Sequence, residues 1–245
     1  MRSFGITDKG KVRKDNQDVY IIEKCDKHKC TVAAICDGMG GAKAGDIASR
    51  LACKTFAEMV YGALISPKVF VGDHEKLLKE ACSEANGAVY EYSRFDTNCA
   101  GMGTTLVGGV IYKNCAHIVN VGDSRAYHIT PGGILQVSHD HSYVEEMVAI
   151  GAITREEAVN HPKKNVITRA LGVDKSVEAD YFDVTLCKDD CILLCSDGLS
   201  NMVTNQEMHD AYVEQKTPDK ICKTLMQLAL DRGARDNVSI VVVKV

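Results

Sequence analysis

The chain has 245 residues, of which 45% are hydrophobic and 25% are charged, and its formal net charge is -4. This length suits one large domain with a sizeable core, and the composition is that of an ordinary globular protein. The small negative charge does not favour binding to nucleic acid or to a membrane surface. No apolar run approaches membrane-spanning length, and the N-terminus lacks an apolar signal core, so we expect a cytoplasmic protein.

The eleven cysteines are numerous but odd in number, and most of them lie in apolar runs. Free cysteine behaves as a small buried hydrophobe, so we expect these thiols to be reduced and structural. Cys187, Cys191 and Cys195 recur every four residues, as zinc ligands on one face of a helix would. The local sequence is typical of a strand instead, which disfavours a zinc site there.

Apolar periodicity predicts strands and helices in an order without regular β-α-β alternation. Two long amphipathic helices follow three N-terminal strands, and a loop containing Pro67 and Gly72 joins them. The predicted segments are, in chain order, strands at 3–6, 19–22 and 31–36, helices at 43–64 and 74–93, an antiparallel meander over 103–137, strands at 179–186 and 190–196, helices from 204 and 217, and a strand at 238–244. This order predicts one α+β domain.

Residues 138–172 interrupt the β pattern. Ser142-x-x-Glu145 and Thr154-x-x-Glu157 both match the capping box that begins a helix, so two short helices are predicted. His161-Pro162 ends the second of them. Because this segment lies between β regions, we expect an inserted lid.

Five carboxylates stand at the ends of predicted strands. Asp37, Asp123 and Asp197 follow strands, whereas Asp18 and Asp236 precede them. Because adjacent antiparallel strands run in opposite directions, we expect all five at one edge of the β structure. Crowded carboxylates repel one another and require positive charge, which magnesium or manganese would supply. Each acid alone is more simply a turn residue, so the prediction rests on their joint placement.

The basic loop over residues 9–14 carries Arg13 towards the same edge. Two divalent ions can activate water and stabilise an in-line displacement at phosphorus, and a guanidinium group can bind the phosphate through two donors. Gly5 to Lys11 also fits the spacing of a phosphate loop. That alternative is rejected because Val12 replaces the required Ser or Thr and no helix pattern follows.

Several motifs occur in a fixed order along the chain. They are Val12-Arg13, Asn16-Gln17-Asp18, Asp37-Gly38-Met39-Gly40-Gly41, Gly103-Thr104-Thr105, Val121-Gly122-Asp123-Ser124-Arg125, Asp140-His141-Ser142, the stretch from Asn165 through Thr168-Arg169-Ala170-Leu171-Gly172, Ser196-Asp197-Gly198-Leu199 and Asp236-Asn237. With these motifs the chain resembles the metal-dependent serine/threonine protein phosphatases of type 2C, most closely the compact bacterial members. The resemblance extends from Gly5 to Val243.

The resemblance implies a single catalytic domain over residues 1–245, built as a central sandwich of two antiparallel sheets flanked by helical pairs, with a flap at about 140–170. It also implies two core Mn²⁺ or Mg²⁺ ions and a weaker third one. The implied site residues are Asp37 bridging the core ions, the Gly38 carbonyl on one of them, Asp197 and Asp236 on the other, Asp18 acting through water, Asp123 with Asp197 on the third ion, Arg13 at the phosphate, and His161 in the flap beside the substrate.

The implied function is the hydrolysis of phosphoserine and phosphothreonine in proteins, by direct attack of activated water. The resemblance further implies a monomer that reverses the action of a cognate serine/threonine kinase. Met39 is a departure, because some relatives have there a histidine that is a candidate general acid. A thioether has no proton to donate, so the proton of the leaving oxygen comes from water or from another residue such as His161.

Two alternatives stay open at this point. A catalytically silent relative acting as a binding module would normally lack a core ligand, whereas this chain retains Asp37, Asp197 and Asp236. A different two-metal phosphoesterase would use a ligand set rich in histidine. The lone Asp26-Lys27-His28 lacks the partner motifs for such a set.

Overall fold

Strands rich in β-branched residues form two antiparallel sheets in this computed structural model, which describes residues 1–41, 43–66 and 72–245. The first sheet has the order β1 (Arg2–Asp8), β11 (Val238–Lys244), β10 (Cys191–Cys195), β7 (Arg125–Thr130) and β8 (Gly133–Gln136). The second has the order β2 (Asp18–Cys25), β3 (Cys30–Met39), β5 (Leu106–Ile111), β6 (Cys115–Val121) and β9 (Asp180–Thr185), with β4 (Gly103–Thr104) paired to the end of β3. The predicted α+β sandwich is therefore confirmed.

The central strands are buried on both faces, which explains why they are continuous apolar runs. In β3, Ile35 packs between the two sheets, whereas its neighbour Cys36 points to the covering helices. In β10, Leu194 packs between the sheets and Leu193 contacts the helices on the other side. Alternating side chains thus contribute to separate layers of the core.

Two helical pairs cover the outer faces of the sandwich. The pair α1 (Ala44–Ile65) and α2 (His74–Phe95) packs on the second sheet, and the pair α6 (Asn205–Gln215) and α7 (Pro218–Asp231) packs on the first. These bounds lie within two residues of the predicted ones. The predicted turn residue Pro67 lies outside the described residues. Among the helices that the structure describes, none is long and apolar enough to cross a membrane.

The segment between β8 and β9 forms two short helices, α3 (Tyr143–Ala149) and α4 (Arg155–Val159), as the capping pattern predicts. Thr154 and Glu157 form the complete capping box. At α3 only half of the box is present, because Ser142 accepts from the Glu145 N–H while the Glu145 carboxylate binds Arg155 at 2.8 Å. The two helices are therefore tied to each other by an ion pair.

Two details differ from the predictions. We predicted that the third strand ends before Asp37, but β3 continues to Met39 because Gly38 and Met39 pair with Thr104 and Gly103 of β4. The short helix α5 (Asp197–Ser200) is also absent from the predicted elements. The extension of β3 depends on backbone pairing, and α5 is a single helical turn. Neither feature produces an apolar periodicity in the sequence, so neither could be predicted from it.

The cysteines are free thiols, and nine of the eleven are buried, in agreement with their apolar surroundings. Cys191 and Cys195 lie on β10, as the strand prediction requires. Four residues along a strand span about 13 Å, so these two thiols are too far apart to bind one zinc ion.

Candidate active site

The predicted acids meet in one pocket at an edge of the sandwich. This pocket has a volume of about 440 Å³ and is lined by Arg13, Lys14, Asp15, Gln17, Asp37, Gly38, Met39, Gly40, Gly41, Thr105, Asp123, Asn165, Ile167, Asp197 and Asp236. We call it the acidic pocket. Four of the five predicted acids line it, and Asp18 lies directly behind, paired with Asp37 across β2 and β3. The two sheets contribute jointly, since Asp197 and Asp236 adjoin β10 and β11 of the first sheet.

Asp37 and Gly38 are held through their backbone. The Asp37 N–H donates to Thr105 Oγ1 at 3.0 Å, and the Asp37 carbonyl accepts from the Thr105 N–H at 2.9 Å. A Cβ atom on Gly38 would lie 2.1 Å from the carbonyl oxygen of Gly45 in α1, so only glycine fits there. The backbone after Asp37 therefore packs directly against the start of α1, which leaves the side chain of Asp37 facing the pocket.

Asp18 is the most enclosed of the five acids, with 4% of its surface exposed. Its Oδ2 accepts from Ser196 Oγ at 2.7 Å, but its Oδ1 has no hydrogen-bond partner. Asp197 shows the same pattern, since Oδ2 accepts from Asn201 at 3.0 Å and the buried Oδ1 has no partner. Buried polar atoms are normally satisfied, so these two oxygens are suited to a further ligand.

Asp236 is bound to the N-terminal loop. Its Oδ2 accepts from the Arg13 guanidinium at 2.7 Å, and its Oδ1 accepts from the Asn237 N–H at 2.9 Å. The Asn237 side chain also donates to the carbonyls of Lys9 and Asp15 and accepts from the Gln17 N–H, at 2.8–3.0 Å. Asn237 thus fixes the loop that carries Arg13, a role that its motif gave no means to predict.

The carboxylates raise one another's pKa values. Burial raises the pKa of Asp37 well above its ordinary range, and repulsion from Asp18 and Asp197 adds to the effect. Burial is likewise the main cause that raises the pKa of Asp18 and of Asp123 to about 7 and that of Asp197 to about 6. Positive charge at this point would remove the repulsion.

The residues present fit divalent ions that prefer oxygen ligands. The acidic pocket offers carboxylates from both sheets, two buried oxygens without partners, and a backbone that glycine brings close. Within the described part of the chain, no three His, Cys, Asp or Glu side chains are already arranged as the ligands of one ion. One oxygen of Asp236 accepts from Arg13 and one oxygen of Asp197 accepts from Asn201, so each of these two carboxylates is partly engaged by protein donors.

His161 does not line the acidic pocket. Its ring lies 5.8 Å from that of Tyr143, and its Nδ1 accepts from the Lys163 N–H at 3.1 Å. The flap residues that do line the pocket are Asn165 and Ile167. Both lie within the sequence motif from Asn165 to Gly172, but the motif did not mark them as site residues, because their position depends on how the segment after α4 folds back.

Cavity size alone would not identify this site. A larger cavity of about 690 Å³ lies at the opposite end of the first sheet, where Arg2 pairs with Lys244. Its charged side chains are mostly basic, with Asp189 beside Arg2, Lys216 and Lys244. The clustered carboxylates select the smaller pocket.

The two-sheet sandwich with an acidic edge is the architecture expected of a type 2C protein phosphatase. The family model described as "Protein phosphatase 2C" matches residues 9–224, so the chain belongs to the protein phosphatase 2C family. This membership confirms the predicted enzyme class, a protein-serine/threonine phosphatase, and the metal dependence that goes with the family.

Individual relatives agree with this assignment. The serine/threonine phosphatase stp of Listeria welshimeri is 36% identical over 241 residues, which cover 97% of this chain and 93% of the relative. The structure of the serine/threonine phosphatase Stp1 from Staphylococcus aureus superimposes with a TM-score of 0.91 at 35% identity, over 99% of this chain and 94% of that one. The catalytic domain of the protein phosphatase PstP in complex with two manganese ions has a TM-score of 0.83 at 32% identity, over 98% and 96% of the two chains.

The raised pKa values predict how metal and pH act together on stability. The unfolded carboxyl has a pKa of about 3.9, whereas those of folded Asp18 and Asp123 lie at about 7. Between about pH 3.9 and about pH 7 the folded protein therefore binds more protons than the unfolded chain. The stability that the protonated carboxyls contribute is lost as pH rises through about 7. Mn²⁺ binds the deprotonated groups, so its stabilisation grows over the same window.

We expect the Tm difference between excess MnCl₂ and EDTA to be larger at pH 8 than at pH 5. Thermal unfolding in buffers of matched ionic strength measures it, with NaCl in place of MnCl₂ as the control. An equal or larger difference at pH 5 would contradict the assignment of these carboxylates to the metal centre.

Proposed function

We propose that this chain hydrolyses phosphoserine and phosphothreonine in proteins at the acidic pocket, with two Mn²⁺ or Mg²⁺ ions and a weaker third. The observation that carries the proposal is the convergence of Asp37, Asp197 and Asp236 with Arg13 on one pocket. When bound, the ions would supply positive charge and an activated water for in-line attack at phosphorus.

The residues of the chain have separate roles in this proposal. Asp37, the Gly38 carbonyl, Asp197 and Asp236, which line the pocket, would hold the core ions, and Asp123 would join Asp197 at the third ion. Asp18, paired with Asp37 behind the pocket, would act through water. The Arg13 guanidinium orients the phosphate with two donors, as its planar fork allows. It lies beside Asp236, so one group connects the metal centre with the substrate.

The leaving oxygen needs a proton. Met39 lines the acidic pocket but has no proton to donate. His161 stands outside the pocket, against Tyr143. We therefore place the proton source in water at the pocket, and His161 remains a predicted substrate contact of the flap.

The wider assignments are also proposals. Residues 1–245 form one catalytic domain with residues 140–170 as its flap, and the protein acts as a monomer on phosphoproteins of a cognate serine/threonine kinase in the cytoplasm. The eleven free thiols favour a reducing compartment. Comparison of phosphoproteins in cells with and without this gene, together with cell fractionation, tests these points.

A direct assay tests the function. Phosphoserine and phosphothreonine peptides should be hydrolysed in the presence of Mn²⁺ and should resist hydrolysis in EDTA, with a phosphotyrosine peptide of the same sequence as the matched control. A silent binding module would release no phosphate under any of these conditions. Faster turnover of the phosphotyrosine peptide would contradict the substrate class.

The route of attack has its own test. Because the described residues that line the acidic pocket include carboxylates but no nucleophile paired with a base, we expect no covalent phosphoenzyme. Acid quenching of a ³²P-labelled peptide during turnover should leave no label on the denatured protein. Stoichiometric label on the protein would exclude direct attack by water.

A further inference from the structure

His141 is a buried imidazole at the base of the flap, with both ring nitrogens close to polar partners. Its Nδ1 accepts from the Gly122 N–H at 3.1 Å, and its Nε2 lies 3.2 Å from Asp180 Oδ2. Because Nδ1 accepts, the proton of the neutral ring resides on Nε2. Arg169 Nη1 lies 3.3 Å from Nε2 but carries only donors, so Asp180 is the acceptor of that proton. Arg169 binds the same carboxylate at 3.0 Å, which fixes the acceptor of that proton.

The backbone of His141 connects the turn at Gly122 with the flap. Its N–H donates to the Gly122 carbonyl at 2.9 Å, and its own carbonyl accepts from the Thr168 N–H at 2.9 Å. The next residue, Ser142, forms a β-bridge with Ile167, which lines the acidic pocket. One residue therefore connects the turn at Gly122 with both ends of the flap.

The turn held by His141 carries Asp123. Gly122 adopts a left-handed φ of 102°, and a Cβ there would lie 2.6 Å from Thr105 Cγ2. On the same side, Ser124 Oγ is 2.7 Å from Thr105 Oγ1, the atom that also binds the Asp37 N–H. The turn is thus clamped between Thr105 and His141, so the position of the Asp123 carboxylate depends on both.

We infer that His141 is a positioning residue that sets Asp123 for the weaker third ion and couples this turn to the base of the flap. His141 is absent from the lining of the acidic pocket and acts through the Gly122 N–H. The inference rests on the proposed role of Asp123 as a ligand. Replacing a residue that positions a metal ligand without touching the metal typically changes the metal affinity by about 10- to 100-fold.

Two substitutions test the roles of the two ring nitrogens separately. In His141→Asn, the side-chain oxygen can stand near the position of Nδ1 and accept from Gly122, but the donor to Asp180 is lost. In His141→Gln, the amide can reach Asp180, but the acceptor for Gly122 is lost. His128→Asn serves as the control, because the shorter amide cannot replace the Nε2 donor that lies 2.8 Å from Asp190, and His128 on β7 does not touch the Gly122 turn.

The readout is Mn²⁺ titration by calorimetry in the absence of substrate, together with hydrogen exchange of the Gly122 amide and Tm. For His141→Gln we expect the weakest Mn²⁺ step to weaken by about 10-fold or more, with faster exchange at Gly122 and a lower kcat that excess Mn²⁺ partly restores. His141→Asn should stay within about threefold of the wild type, below the range of about 10- to 100-fold expected for a lost partner, because it keeps the acceptor for the Gly122 N–H. His128→Asn should lower Tm and leave the Mn²⁺ titration unchanged.

The results that would contradict the role of His141 differ from those that would contradict the proposed function. Equal Mn²⁺ titrations for the wild type and His141→Gln, or effects of both His141 variants that only follow Tm, would overturn the inference. Only two Mn²⁺ steps in an active wild type would also overturn it, while the proposed function would stand. A wild type that neither binds Mn²⁺ nor releases phosphate would contradict both.

Discussion

Replacement of Asp37 by asparagine is expected to lower kcat/KM towards a phosphoserine peptide by about 10³-fold or more. Asp37 is the predicted bridging ligand, and loss of the ion-held charge removes several kcal/mol of transition-state stabilisation, with each 1.36 kcal/mol corresponding to about tenfold in rate. Asparagine keeps the shape of the side chain, and the backbone bonds to Thr105 do not involve the carboxylate. The fold should therefore survive.

The same variant should be more stable than the wild type when metal is removed. Burial and the neighbouring acids raise the pKa of Asp37, so its ionised form is unfavourable in the folded protein at neutral pH. Relief of about 1 kcal/mol would raise Tm in EDTA by about 2–4 °C for a chain of this size. Asp190→Asn is the matched control, because this buried acid binds His128 far from the pocket and its loss should lower Tm while preserving turnover. A kcat/KM of Asp37→Asn within tenfold of the wild-type value would contradict the role of Asp37 as the bridging metal ligand.

Replacement of Arg13 by alanine should lower kcat/KM by about 10²-fold, with a lower kcat and a higher KM, because Arg13 is proposed to hold the phosphate both before and during the reaction. Loss of one preoriented donor to developing charge typically costs about 10²- to 10³-fold. Arg13 is largely exposed and reaches the acidic pocket by its bond to Asp236. Arg13→Lys should recover only part of the loss, because lysine lacks the planar fork of two donors.

Metal binding distinguishes this effect from damage to the metal centre. Removal of Arg13 frees the Asp236 carboxylate from its 2.7 Å ion pair, so the affinity for Mn²⁺ should be unchanged or higher. The control is Lys11→Ala, which removes an exposed cation of the same loop that does not line the pocket. A parallel loss of Mn²⁺ affinity in Arg13→Ala would show that the arginine supports the metal site and not the phosphate.

The fold could be predicted well where local chemistry is strong. Thr154 and Glu157 form their capping box, Thr217-Pro218 begins α7, and the apolar run from Thr31 forms the core of β3. These signals act over a few residues, so they survive in a single sequence. The end of β3 could not be predicted, because it depends on pairing of Gly38 with Thr104, which lies far away in the chain.

The residues of the active site could be predicted from the sequence only in part. Carboxylates at strand ends predicted Asp37, Asp123, Asp197 and Asp236 together, and the structure brings them to one pocket. The supporting groups were missed as site residues, including Thr105, Ser196, Asn237 and His141. They act through single hydrogen bonds across distant segments, as between Ser196 and Asp18, for which sequence spacing carries no information.

The sequence by itself determined the α+β class through its apolar patterns, and its ordered motifs led to the family, whose resemblance implied the sandwich and the acids and arginine of the acidic pocket. These patterns and motifs are local properties of the chain. Only the tertiary structure decided which side chain holds which acid and that His161 stands outside the pocket while His141 clamps the Asp123 turn. The physical reason is that the first sheet pairs β1 with β11 and so joins the two ends of the chain, which lets Gln17 meet Asn237 and Arg13 meet Asp236. Such contacts depend on strand order and register, which no local pattern specifies.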